Sequence, residues 1–142
     1  MWTSLIQNPD AIRSIFECDP SLDAVRVMKV ELFEDGPTLN ISIVLNQYPD
    51  KPPLRWARIG ANAVALVLQL MGVSHLSLDG WSTENTVACR LSRRNGYAYE
   101  VSVDGPTLKL SAVCQAARIT HIEGYKQEKE GLNAAEIPPP GF

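Results

Sequence analysis

Asp79, Trp81 and Glu84 sit close together in the chain, and His75 precedes them by four positions. Two carboxylates flanking a strand end, with a titrating imidazole nearby, are residue types that perform general acid–base chemistry. A direct relay needs them within about 3 Å of one another, and their spacing alone does not bring that about. Cys114 and His121 are the other pair with nucleophilic potential. A thiol–imidazole couple needs a third group to orient the base, and nothing near either residue supplies one. His75 and His121 have neither HxH nor HExxH spacing, and Cys18, Cys89 and Cys114 contain no CxxC pair. No metal-ligand set, phosphate-cradling glycine loop or GxSxG elbow is present. The residues therefore imply no cofactor and no metal, and the acid–base set Asp79, Glu84 and His75 is the weakest of three functional readings.

Binding is the stronger theme. Trp2, Trp56 and Trp81 all fall outside the clean apolar phases of the chain, and Arg55 and Arg58 flank Trp56. Trp and Arg are the types that dominate interface energetics, although tryptophans in these places also serve to close the ends of a β core. Arg90, Arg93 and Arg94 beside Asn95-Gly96 could stack on bases. Thirteen Lys and Arg against sixteen Asp and Glu leave a net charge of −3, with a pI near 5.3. That balance lacks the basic footprint of a nucleic-acid binder. The longest apolar run, Ala63 to Met71, is too short for the ~20 residues of a membrane helix. With no export signal at Met1-Trp2-Thr3-Ser4 and an odd cysteine count, the expected compartment is the cytoplasm. Cys89 and Cys114 share phase with apolar strand residues and read as small buried side chains.

The elements that must position these residues follow from periodicity. Asn8-Pro9-Asp10 reads as a helix start, with Asn8 as cap, ahead of Ile12, Ile15 and Phe16 at helical spacing. From Val25 the period becomes two. Val25–Phe33 changes phase midway, which either a bulge or burial of both faces would reconcile, and Leu39, Ile41, Ile43 and Leu45 alternate cleanly to complete a hairpin. The connection 46–61, with Pro49, Pro52 and Pro53, reads as a long loop holding Trp56. Residues 62–70 are apolar on both phases, the pattern of a central strand buried on both sides, with a buried helix as the alternative. Leu76 and Leu78 alternate with polar neighbours in the next strand, and Val87, Cys89 and Leu91 mark another. Asn95-Gly96 predicts a type I′ hairpin turn with positive φ at both positions. Strands follow at Tyr97–Val103, Leu108–Ala112 and Arg118–Tyr125. Asp-Gly-Pro-Thr-Leu occurs at 35–39 and again at 104–108, as if one turn were used twice. The expected fold is mainly β (α+β): an antiparallel β sandwich or curled sheet of about eight strands with one short N-terminal helix. One domain spans 1–125, and the Pro-rich stretch 126–142 is expected to be flexible or loosely packed.

Several stretches in order resemble a known family. They are Met1–Pro9 with Ile12 and Phe16, Pro20-Ser21-Leu22-Asp23, and Tyr48-Pro49-Asp50-Lys51-Pro52-Pro53 with Trp56. Asn62, then Leu78-Asp79-Gly80-Trp81-Ser82-Thr83-Glu84-Asn85, and finally Ile122 with Tyr125 complete the set. Together they are similar to the immunity protein 50 family of bacterial polymorphic toxin systems, over roughly residues 1–125. The resemblance implies a small cytoplasmic protein, not an enzyme, whose partner is a cognate protein toxin domain that it neutralises by occluding an active or substrate surface. Neither nucleic acid nor membrane is expected as a partner. On that reading the partner-binding residues are Trp81, Glu84, Asp79, Trp56 and Arg58. The alternative is a small-ligand-binding β domain with an apolar pocket mouthed by Trp56 or Trp81.

Overall fold

Strict alternation in the sequence becomes a single sheet in the computed structural model, which describes residues 1–127. Among the described residues eight strands form: β1 (Val25–Phe33), β2 (Thr38–Leu45), β3 (Ala63–Met71), β4 (His75–Asp79), β5 (Asn85–Asn95), β6 (Ala98–Asp104), β7 (Lys109–Cys114) and β8 (Ala116–Tyr125). All neighbours are antiparallel, in the order β4-β7-β6-β5-β1-β2-β3-β8. A 3-10 turn (Trp2–Leu5), α1 (Asp10–Arg13) and α2 (Leu54–Arg58) complete the elements. The expected tail at 126–142 lies, after Gln127, outside the described residues.

The sheet is curled because its ladders carry extra residues. Met28 is inserted in β1 opposite β2, which resolves the phase change seen in the sequence; Thr120 is inserted in β8 and Arg94 in β5. Each bulge bends its strand and increases local twist. A further bend lies where β3 passes through Gly72, Val73 and Ser74 into β4 while β7 passes through Gln115 into β8. The β3·β8 ladder stops at Met71 opposite Ala116, and the β4·β7 ladder starts at His75 opposite Val113. Between them the Gln115 N–H donates to the Met71 carbonyl at 2.9 Å and the Ser74 N–H to the Val113 carbonyl at 2.9 Å. The two ladders are thus one, bent around an extra residue on the β3–β4 side.

Bending gathers one face of almost every strand into one core. Leu39, Ile41, Ile43, Leu66, Leu68, Val101 and Ala112 are all buried there, joined by Ile6, Ile12, Ile15 and Phe16 from the N-terminal segment. The strand β4 contributes nothing to this cluster. The second face of β3 is buried too, as its unbroken apolar run predicts: Ala63 and Ala65 pack with Val44 beneath Met28 and Tyr125. Long side chains from neighbouring strands, reaching over small residues, provide that cover.

Four local expectations are corrected. Asn8 does not cap α1; its side-chain amide donates to the Ile119 carbonyl at 2.7 Å and accepts from the Ile119 N–H at 2.9 Å. It thereby closes the outer edge of β8, helped by the Gln7 N–H donating to the Ala117 carbonyl. The connection 46–61 contains α2, so there are two short helices rather than one. The β5–β6 hairpin forms, but neither Asn95 nor Gly96 has positive φ, because the Arg94 bulge moves the closing pair to Asn95 and Ala98. The two Asp-Gly-Pro turns also differ: Gly36 has φ of 116° before a cis Pro37, and Gly105 has neither feature.

Asn8 makes both bonds to one backbone unit that would otherwise lack partners, so removing its amide leaves two partly buried groups unmatched. Asn8→Ala is expected to lower unfolding stability by about 1–3 kcal/mol, and Asn8→Asp, which keeps the acceptor only, by an intermediate amount. Urea unfolding of the three proteins checks the ranking.

Candidate partner-binding surface

The β4–β5 connection is built to hold a fixed shape. Gly80 has φ of 80° and lies so close to the Thr107 backbone that an added Cβ would sit 2.1 Å from its carbonyl oxygen. No other residue fits there. Asn85, only 4% exposed, then acts as the loop's internal strut. Its side-chain oxygen accepts from the Ser82 N–H at 3.0 Å, and its side-chain nitrogen donates to the Ser82 carbonyl at 3.0 Å. The Ser82 hydroxyl lies 3.0 Å from the Glu84 carbonyl and 3.1 Å from the Asn85 oxygen, so its single proton is shared between them. On this strut Trp81 stays 49% exposed, and Asp79 and Glu84 are exposed beside it. Three salt bridges exist among the described residues, and neither carboxylate takes part in one. Lys109, opposite Asp79 in the ladder, pairs instead with Asp104.

The structure separates the other candidates from this loop. Trp56 is 2% exposed and belongs to the core, its ring packed on the backbone of Gly124 so closely that a Cβ there would come within 2.5 Å of the indole. Tyr48 covers it at a ring-centroid distance of 6.3 Å. Trp56 therefore presents no surface to a partner, and the end-closing role is the one it fills. Pro53 and the polar composition around it hid a helix whose buried residue is this indole. Arg58 and Leu54 are exposed on α2, and Ile59 just after it is exposed too. Trp2 is structural as well: its indole N–H donates to the Pro20 carbonyl at 2.9 Å, tying the chain start to the strand side. The residues that sequence reasoning missed are Leu76 and Leu78. Their alternation reads as core, yet they are 37% and 51% exposed. The available signal was the brevity of a strand framed by Gly72 and Gly80.

Chemistry fares poorly in this geometry. His75 and Asp79 are four residues apart on one extended strand, a separation of about 13 Å, far beyond a direct proton relay. Cys114 lies on the concave face and His121 on the convex one, opposite Val67. Burial pushes the Cys89 thiol up to about 11; it also raises Cys114, partly countered by a backbone hydrogen bond from Ala116. Both are inert thiols, whereas Cys18 is exposed. Among the described residues no group of three His, Cys, Asp or Glu could hold a metal ion, and no helix is long and apolar enough to cross a membrane. Two of the hairpin arginines are engaged within the chain: Arg94 lies 3.9 Å from Glu100, and Arg93 stacks over Tyr99 at 5.5 Å. Grooves of about 490 Å³ beside Arg13 and Phe16 and about 420 Å³ beside Trp2 and Arg90 border neither Trp56 nor Trp81.

Two measurements separate structural from surface roles. Trp56→Ala is expected to cost about 3–5 kcal/mol of unfolding free energy, and Trp81→Ala no more than about 0.5 kcal/mol. For the thiols, a folded-state pKa above the unfolded one means that the folded chain holds the proton longer. Stability from Cys89 and Cys114 is therefore full below the ordinary thiol pKa and falls as pH rises toward about 11 for Cys89. Urea midpoints under reducing conditions should drop between pH 8 and pH 10.5, with a shallower drop in Cys89→Ala.

A family model described as immunity protein 50 matches residues 8–125. No curated protein and no solved structure shows a significant match to the chain.

Proposed function

The chain belongs to the immunity protein 50 family, a non-enzymatic family of toxin systems, and on that premise we propose that it acts in the cytoplasm by binding a cognate toxin domain. Membership implies such a partner. Binding over the toxin's active or substrate surface is the mechanism that needs nothing from this chain except a shaped surface. The domain over 1–125 is the unit that carries it. The single observation supporting the contact region is the β4–β5 connection, in which the Ser82–Asn85 bonds hold a half-exposed Trp81 beside Glu84, with Asp79 at the end of β4.

A preorganised loop of this kind keeps the entropy cost of association low. Trp81 supplies the large apolar contact area typical of an interface hot spot. Asp79 and Glu84 supply unpaired negative charge, which accelerates encounter with a basic partner and makes the rate salt-dependent. Arg58, with the exposed Leu54 on α2 and Ile59 after it, forms a separate candidate patch. Trp56 acts only through the fold.

Co-expression with the toxin domain encoded beside this gene tests the reading. Growth rescue and a stoichiometric complex are expected, and a toxin neither bound nor neutralised would overturn it. Trp81→Ala should raise the dissociation constant by about 30-fold or more at unchanged urea midpoint, read by calorimetry on the purified pair.

A further inference from the structure

The concave face of the sheet continues past the packed core onto β4. Leu78 is opposite Leu110, and Leu76 is opposite Ala112, so both leucines carry the side-chain phase of the buried face. Yet all five residues of β4 are exposed. β4 is also one end of the strand order, so its side away from β7 has no strand partner. The other end of the order is treated differently: Gln7 and Asn8 bond the free backbone of β8 at Ala117 and Ile119. Free edges are normally blunted by such cover, by proline, or by charges turned inward on the strand. β4 has none of these on its apolar phase.

At the end of this edge stand the carboxylates of Asp79, the last residue of β4, and of Glu84 in the connection that follows, both without ion-pair partners, with the exposed Trp81 between them in the chain. An open row of backbone groups, two exposed leucines on one face and unpaired negative charge at one end together define an occupant. It is extended, apolar on alternate residues, and basic where it meets the β4–β5 loop. We propose that β4 is the strand-addition site of this protein, and that its occupant is an extended segment of the cognate toxin bearing Lys or Arg at the end that meets Asp79 and Glu84. The inference rests on the immunity reading and specifies how the partner is held: backbone bonds along β4 give affinity, and alternate side chains over Leu76 and Leu78 give register.

Amide hydrogen exchange on the full chain, free and in the toxin complex, tests it. The β4 amides at 75–79 that point away from β7 are expected to exchange freely alone and to slow by at least about tenfold in the complex. Leu78→Lys, at a half-exposed position, is expected to leave the urea midpoint unchanged and to weaken toxin binding by about tenfold or more. A complex that forms while 75–79 stays unprotected would overturn the β4 site and leave the immunity reading standing; no complex at all would remove the reading beneath it. Protection in the free chain that grows with protein concentration would assign the edge to a second copy. Protection in the free chain at every concentration would assign it to the chain itself. Either result overturns the toxin strand as occupant.

Discussion

One bent ladder governs the molecule. β3 and β4 are joined by three residues and β7 and β8 by one, and the pairing runs through the junction with backbone bonds at Gln115 and Ser74. Because side chains alternate with a period of two, register fixes which residues point inward. Four steps on the β3–β4 side, from Met71 to His75, are matched by three from Ala116 to Val113. The extra residue lets the ladder turn without breaking, and it keeps Leu70 and Leu76 on the same face. A slip of one residue at this junction would send Leu110 and Ala112 outward and strand His75 and Asp79 inside. The continuity of a single core from β7 to β8 therefore depends on local register at the bend more than on any one apolar contact.

Where burial follows alternation the sequence was legible. The β1–β2 hairpin, the Met28 bulge, the doubly buried β3 and the two interior cysteines all follow from residues close together in the chain. What stayed hidden depends on distant partners. Asn8 looks like a helix cap, since Asn before Pro-Asp is good capping chemistry. Ile119, which it actually bonds, is 111 positions away. The Asn95-Gly96 pair carries the right residues for a type I′ turn, but the Arg94 bulge changes which residues lie at the tip. Trp56 was obscured by three prolines that suggest a loop, and only the position of Gly124 on the sheet shows what the indole covers. The same limit applies to Leu76 and Leu78. Alternation says which face a side chain takes, not whether anything covers that face.

Rigidity and exposure are combined in the loop after β4. Exposed tryptophans are costly to hold out in water unless the backbone leaves them no inward alternative. Here the close packing of Gly80 on Thr107 and the paired amide of Asn85 fix the path of the chain on both sides of Trp81. The path of the backbone therefore sets where the indole is displayed. On the proposed reading such a display serves partner binding, in a family of non-enzymatic immunity proteins. The contrast with Trp56 and Trp2, both tied into the fold, shows that the residue type alone does not mark an interface.

The two ends of the strand order carry the same argument to the level of the whole sheet. An uncovered edge exposes a protein to pairing with any extended chain, so leaving one open has a cost unless it is limited. Capping β8 removes half of that exposure. Shortness limits the other half: β4 has five residues, few backbone groups for any extended chain to pair with. On the proposed strand-addition reading, discrimination among extended chains comes from side chains: apolar contact over Leu76 and Leu78, and the carboxylates of Asp79 and Glu84, which take part in no ion pair, at one end of the edge.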